Sequence, residues 1–225
     1  MNASHEIESS DARCGRLDQG FSLTEQLVVV SIVLILAAIA IPALSRTMQF
    51  MRTSGDARGL ADITMEAKMR AAANFTHSRI YINTSALTYH IETWNKAGTS
   101  PCTGGTPCWQ TEAGTFTLSS GVSLGYGSLS SPPPSTQASI GQPGACLDST
   151  HDTGTSTVAN TACIEFNSRG IPIDSSWSPT SNYALYVNDG NSVYAVTVSA
   201  TGSIVMWRAD KGASSCTSGA CWSKR

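Results

Sequence analysis

The chain is 225 residues long, 41% hydrophobic and only 13% charged, with a formal net charge of −2. Its length allows one domain or two small ones. From Phe21 onward twelve Lys/Arg stand against twelve Asp/Glu, a neutral balance without the basic excess of a dedicated nucleic-acid binder. The first element, residues 20–45, reads GFSLTEQLVVVSIVLILAAIAIPALS, with an apolar run from Leu27 to Ile41 interrupted only by Ser31. Phe21 to Leu44 suffices to cross about 30 Å of hydrocarbon at 1.5 Å per residue. A cleaved secretory signal would need a small-residue site after the run, and Pro42 spoils the one offered by Ile39 to Ala43. A plain anchor leaves Glu25 unexplained, since a carboxylate in a bilayer costs on the order of 2.5–3.5 kcal/mol and implies a partner.

Ser22 to about Phe75 reads as one long helix. Its first half is apolar all round, as a membrane or bundle-core helix is. Pro42 removes a backbone donor and predicts a kink or a loosened turn, and Gly55 and Gly59 predict local weakness. The second half is amphipathic: Leu60, Ile63, Ala67, Ala71 and Phe75 recur at helical spacing and predict a stripe packed on a sheet, with Arg58, Asp62, Glu66, Lys68 and Arg70 mostly elsewhere. From Ser78 the period becomes two. Strands are expected at Arg79–Asn83 and Thr88–Trp94, a hairpin at Thr115–Leu118 and Val122–Tyr126 across Ser-Ser-Gly, and a strand at Ala162–Asn167. Tyr183–Asn188, Ser192–Ser199 and Ser203–Arg208, joined by the turn dipeptides Asp189-Gly190 and Thr201-Gly202, form an antiparallel meander. Residues 97–111 and 127–161 read as Gly/Ser/Thr/Pro-rich loops. The second holds a polyproline-II candidate at Pro132–Pro134, and a loop of that length is functional or disordered.

Gly20-Phe21-Ser22-Leu23-Thr24-Glu25, the apolar run and Pro42 together resemble the prepilin signature of type IV pilins and type II secretion pseudopilins. The resemblance implies cleavage between Gly20 and Phe21 by a membrane peptidase that also N-methylates Phe21. Glu25 then takes the family's acidic position, pairing with the Phe21 amine of its own or a neighbouring subunit and setting register in the filament, and Pro42 takes the position of the helix kink. The leader, Met1 to Gly20, is long and net acidic. Arg46 and Arg52 lie beyond the run, so orientation with the bulk of the chain outside the cytoplasm follows from the resemblance rather than from loop charge.

Further along, Arg79-Ile80-Tyr81-Ile82, Ile164-Glu165-Phe166-Asn167-Ser168-Arg169-Gly170 and Val196 to Ile204 resemble the GspH/FimT family of minor pseudopilins and minor pilins. The implied fold is α+β and pilin-like: a long N-terminal helix packed on an antiparallel β-sheet head with long disulfide-closed loops. The implied organisation is a cleaved leader at 1–20, a transmembrane or filament-core half-helix at 21–45, an amphipathic half at 46–76 and a periplasmic β-rich head at 77–225. The implied role is that of a minor pseudopilin in a type II secretion pseudopilus, or alternatively a minor pilin of a type IV pilus. The implied partners are other pseudopilins or pilins, the prepilin peptidase, an inner-membrane assembly platform and inner-membrane lipid. Some members of the branch bind DNA through Gly-Arg-x-Arg; here Gly202-Ser203-Ile204-Val205 lacks both arginines, and nucleic acid is not expected.

Removing the leader takes Cys14 with it and leaves Cys102, Cys108, Cys146, Cys163, Cys216 and Cys221. An even count in an exported domain reads as disulfides, with fifteen possible connectivities. The economical one is sequential, Cys102–Cys108, Cys146–Cys163 and Cys216–Cys221, each closure contributing on the order of 2–3 kcal/mol. Zinc is the alternative, but there is no Cys-x-x-Cys and no histidine beside two cysteines. His77, His90 and His151 are isolated and read as surface or strand residues, and Asp148 and Asp152 as solvated turn residues. No nucleophile elbow, phosphate loop, dinucleotide fingerprint or zinc helix occurs. No metal, cofactor or catalytic set is therefore expected, which leaves a membrane-anchored periplasmic enzyme as the disfavoured third class.

Overall fold

The computed structural model of the protein describes residues 22–96, 108–112, 114–148, 156–181, 183–210 and 221–225. The chain divides into two compact units, Met1–Ser45 and Arg46–Arg225, and helix α1 (Leu23–Ala73) contributes residues to both.

In the first unit α1 is capped by Ser22, whose Oγ accepts the Glu25 N–H at 3.2 Å. This is one half of a capping box. From Ser22 to Ser45 every residue is exposed except the half-buried Ala37. The only polar residue inside the run, Ser31, turns its hydroxyl back onto the Leu27 carbonyl at 2.8 Å, so it presents little polarity to its surroundings. α1 continues through Pro42 and is long and apolar enough to cross a membrane, with none of its most apolar 18-residue window buried.

The second unit contains the rest of α1 and eleven strands among the described residues: β1 (Ser78–Asn83), β2 (Thr88–Trp94), β3 (Trp109–Thr111), β4 (Phe116–Thr117), β5 (Ser123–Leu124), β6 (Thr161–Phe166), β7 (Pro172–Ile173), β8 (Tyr183–Asn188), β9 (Ser192–Val198), β10 (Ile204–Asp210) and β11 (Ser223–Lys224). They form two antiparallel sheets. One runs β3-β2-β1-β6-β7 with β4 also on β2; the other runs β11-β10-β9-β8-β5. The fold is α+β.

The inner faces of both sheets meet the second half of α1. Ala57, Leu60, Ile63, Ala67 and Ala71 pack with Ile80, Ile82, Ile91, Ile164 and Phe166 from the first sheet and Leu185, Val187, Tyr194, Val196 and Val198 from the second. Alternation along a strand puts every other residue on the opposite face, and here that face is covered too. β9 is consequently buried at all seven positions. On the outer side of the second sheet, Ala184, Tyr186, Ala195, Trp207 and Ala209 pack under Leu129 and Trp222. The long loop is thus ordered over 127–148. Gln142 holds it by accepting the Tyr186 N–H at 3.0 Å and donating to the Tyr186 carbonyl at 2.8 Å, as a neighbouring strand would.

Three expectations change. Residues 115–126 do not form a hairpin: β4 pairs with β2 and β5 with β8, in different sheets. The intervening turn is held by Asp56 of α1, whose carboxylate accepts the Ser119 N–H and hydroxyl at 2.8 and 3.0 Å, while Leu118 and Val122 drop into the core. Phe75 does not complete the apolar stripe. The helix ends before it, Thr76 N–H reaches Ala71 O and Phe75 N–H reaches Ala72 O, and Phe75 adopts φ 49, the left-handed stop of a Schellman motif. Phe75 is 75% exposed. Gly59 is a close approach rather than only a weak point, since a Cβ there would sit 2.9 Å from the Tyr89 hydroxyl.

Candidate functional site

The outer face of the first sheet carries a buried charged cluster. The register of the ladder builds it: Arg79 on β1 lies opposite Glu92 on β2 and Glu165 on β6, and Tyr81 lies opposite His90 and Cys163. Arg79 is 1% exposed. Its Nε and Nη2 each donate to Glu92 Oε2 at 2.7 Å, and its Nη1 donates to the Leu147 carbonyl at 3.1 Å. The guanidinium carbon lies 4.1 Å from the centre of the Trp109 ring. His90 Nε2 is 3.3 Å from Glu92 Oε1, and His77 Nδ1 is 3.2 Å from Glu165 Oε1.

Charge balance within the cluster is uneven. Burial pushes the Arg79 guanidinium below its ordinary value, against the pull of Glu92. Burial also pushes the Glu92 carboxyl up, but the contacts with His90 and Arg79 outweigh it and hold the group below 4.5. For Glu165 the balance reverses: burial dominates, His77 and Arg79 offset it only in part, and the carboxyl rises. Burial, with Glu165 and Asp174 nearby, raises the Tyr183 hydroxyl to about 12.

An aromatic wall closes the cluster. Trp94 meets Trp109 and Trp177 edge-on at 5.3 and 5.4 Å, and Trp177 meets His77 at 4.4 Å. Among the described residues the buried indole N–H groups of Trp109 and Trp177 have no acceptor, and Trp177 sits at φ 62. Beside it a cleft of about 430 Å³ is lined by Arg79, Leu147, Cys163, Glu165, Asp174 and Tyr183, among others. With every Arg79 nitrogen engaged, the cluster is built to hold strands and loops together.

The expected site residues fall in different places. Gly20 and Phe21 lie outside the described residues, as do Cys102, Cys216, His151 and Asp152. Glu25 is exposed in the first turn of α1, where an acid also favours the helix dipole. Cys146 and Cys163 form a disulfide closing 17 residues, with Cα atoms 5.0 Å apart. Cys108 and Cys221 are also disulfide-bonded. Among the described residues no group of three or more His, Cys, Asp or Glu side chains could hold a metal ion. The charged cluster itself was not anticipated. Its sequence signal was the placing of Arg79, Glu92 and Glu165 at the polar positions of three alternating strands, a pattern that equally describes a solvated face.

The motif glycines also meet. Lys68 Nζ of α1 donates to the Gly202 carbonyl at 2.8 Å. A Cβ on Gly202 (φ 74) would clash with the Gly170 carbonyl oxygen. This seam joins the turn after β6 in one sheet to the turn between β9 and β10 in the other. Comparison of the chain with protein-family models, with curated proteins and with solved structures returns no match.

Proposed function

We propose that the protein is a minor pseudopilin, a structural subunit of a type II secretion pseudopilus. The observation that carries this reading is the first half of α1: an apolar helical segment exposed at every residue but the half-buried Ala37 that begins just after Ser22, carries Glu25 in its first turn and follows Gly20-Phe21 in the sequence. A surface of that kind needs lipid or neighbouring helices around it. In this reading lipid serves before assembly and neighbouring subunits after it, with the Glu25 carboxylate meeting the Phe21 amine in a low-dielectric filament core where opposite charges attract strongly. The β-rich head and its ordered loop contact other subunits or cargo, and the work is mechanical.

The intact mass of membrane-extracted protein tests the class. Loss of residues 1–20 with one methyl on Phe21 is the expected result, and an uncut chain overturns it. Glu25→Ala should insert in the membrane and fail to assemble. Deleting the gene and scoring exoprotein release beside twitching motility separates secretion from a pilus; lost twitching with normal release would make the protein a minor pilin instead.

A further inference from the structure

The burial of Arg79 depends on two covers beyond its own strand and the glutamates that flank it. Along one side lies the segment 144–148, whose Leu147 carbonyl accepts from Nη1 at 3.1 Å. Over the guanidinium lies Trp109, the first residue of β3. Both covers are next to disulfide-bonded cysteines: Cys146 precedes Leu147 and is bonded to Cys163 on β6, and Cys108 precedes Trp109. Cys146 and Cys108 are themselves fully buried. Cys163 is only half-buried and lines the same cleft as Arg79 and Glu165.

We propose that the Cys146–Cys163 disulfide is a redox clasp, and that opening it lifts the 144–148 segment and uncovers the Arg79 side chain on the outer face of the first sheet. The chemistry is thiol–disulfide exchange with an external dithiol. A thiolate attacks Cys163 Sγ from the cleft, the bond to Cys146 Sγ breaks, and a mixed disulfide forms on Cys163. The second external thiol then resolves it. The dithiol is oxidised to its disulfide, and two electrons and two protons pass to Cys146 and Cys163. Without the clasp Nη1 loses a fixed acceptor, and a buried cation short of a partner favours any opening that admits water. The released surface would carry Arg79 between two glutamates and two histidines, where the oxidised head presents a sealed loop.

Other bonds compete with the clasp. Cys163 N–H donates to Gly144 O at 2.9 Å, Val158 N–H to Cys146 O at 2.8 Å, and Asp148 N–H to Ser156 O at 2.9 Å. Cys146 N–H also donates to Thr161 Oγ1 at 2.9 Å. The experiment therefore asks whether these hold the segment when the disulfide is gone. The full chain, extracted in detergent, is treated with phenylglyoxal with and without prior dithiothreitol, and arginine modification is mapped by mass spectrometry. Arg58 and Arg169, both exposed, are internal references. Amide exchange of β9, buried throughout, reports global unfolding.

Reduction should raise Arg79 modification about tenfold or more while β9 keeps its protection, the signature of a local opening. Cys146→Ser with Cys163→Ser should do the same without reductant, leaving the Cys108 linkage intact. Arg79 remaining unmodified in that double variant overturns the proposal, because the backbone bonds then suffice. Loss of β9 protection together with Arg79 protection also overturns it, because the disulfide is then a staple for the whole head rather than a clasp.

Discussion

On the outer face of the second sheet, Tyr186, Trp207 and Trp222 are buried with alanines between them. On the outer face of the first, the equivalent layer is Arg79, Glu92, Glu165 and two histidines. Both layers are built on strands whose inner faces share one apolar core with α1, with Trp222 and His77 joining them from just before β11 and β1. The apolar layer gains by area removed from water, at about 25 cal/mol per Å², and does not depend on direction. The charged layer gains only while each partner stays within hydrogen-bond reach, since desolvation of both ions opposes it. One sheet should therefore tolerate rearrangement of its cover and the other should not.

The largest break in that comparison is Glu92→Gln. It leaves the Arg79 cation buried at 1% exposure without its hydrogen-bonded counter-charge, and should cost about 3–5 kcal/mol in a denaturant melt. Arg79→Met combined with Glu92→Leu should recover more than half of that loss. A single-variant cost below about 1 kcal/mol, the range of exposed pairs, would mean that water already reaches the cluster. The seam between the sheets comes next. Gly202→Ala demands a side chain at φ 74 against the Gly170 carbonyl and should cost about 1–3 kcal/mol. Gly141→Ala, with nothing within 4 Å of its Cβ position, is the control and should stay within about 0.5 kcal/mol. On the tolerant face, Trp207→Phe loses the indole donation to Thr197 Oγ1 at 3.0 Å, yet Thr197 still donates to Val205 O. About 1 kcal/mol is expected, and a loss as large as that of Glu92→Gln would erase the distinction between the faces.

The sequence made the local elements legible and left the long-range ones hidden. Thr88–Trp94 and the meander from Tyr183 follow from alternation and turn dipeptides, and α1 follows from its apolar run and its stripe. The two-residue strands β4, β5, β7 and β11 carry too few positions to show any period. The 115–126 segment looked like a hairpin because Ser-Ser-Gly sits between two apolar pairs. Asp56, some sixty residues earlier, captures that turn instead, and no local pattern announces it. Of the candidate site, the Cys146–Cys163 disulfide was readable from cysteine parity and spacing. The charged cluster was not, because sequence alternation cannot say whether a polar face meets water or a loop. His77 and His90 are isolated along the chain and become neighbours of glutamates only through folding: His77 beside Glu165 of β6, and His90 beside its own strand's Glu92.

The smallest effect separates two carboxylates within the charged layer itself. Glu92 is held below 4.5 when folded, so its contribution is present above the unfolded value and is lost as pH falls through the folded one. Glu165 is raised; the folded protein then binds more protons than the unfolded chain just above 4.5, and its contribution is lost as pH rises through the folded value. The groups facing Glu165 include His77, Arg79, Asp174 and Tyr183, and a raw stability profile sums over every titrating group of the chain. The difference between wild type and Glu165→Gln cancels most of that background. Glu165→Gln should gain relative to wild type as pH rises from about 4 toward 7, because the amide has no proton to lose. A difference that stays flat over that span would mean that His77 and Arg79 offset the burial of Glu165 fully, and that the two carboxylates of this face are balanced alike.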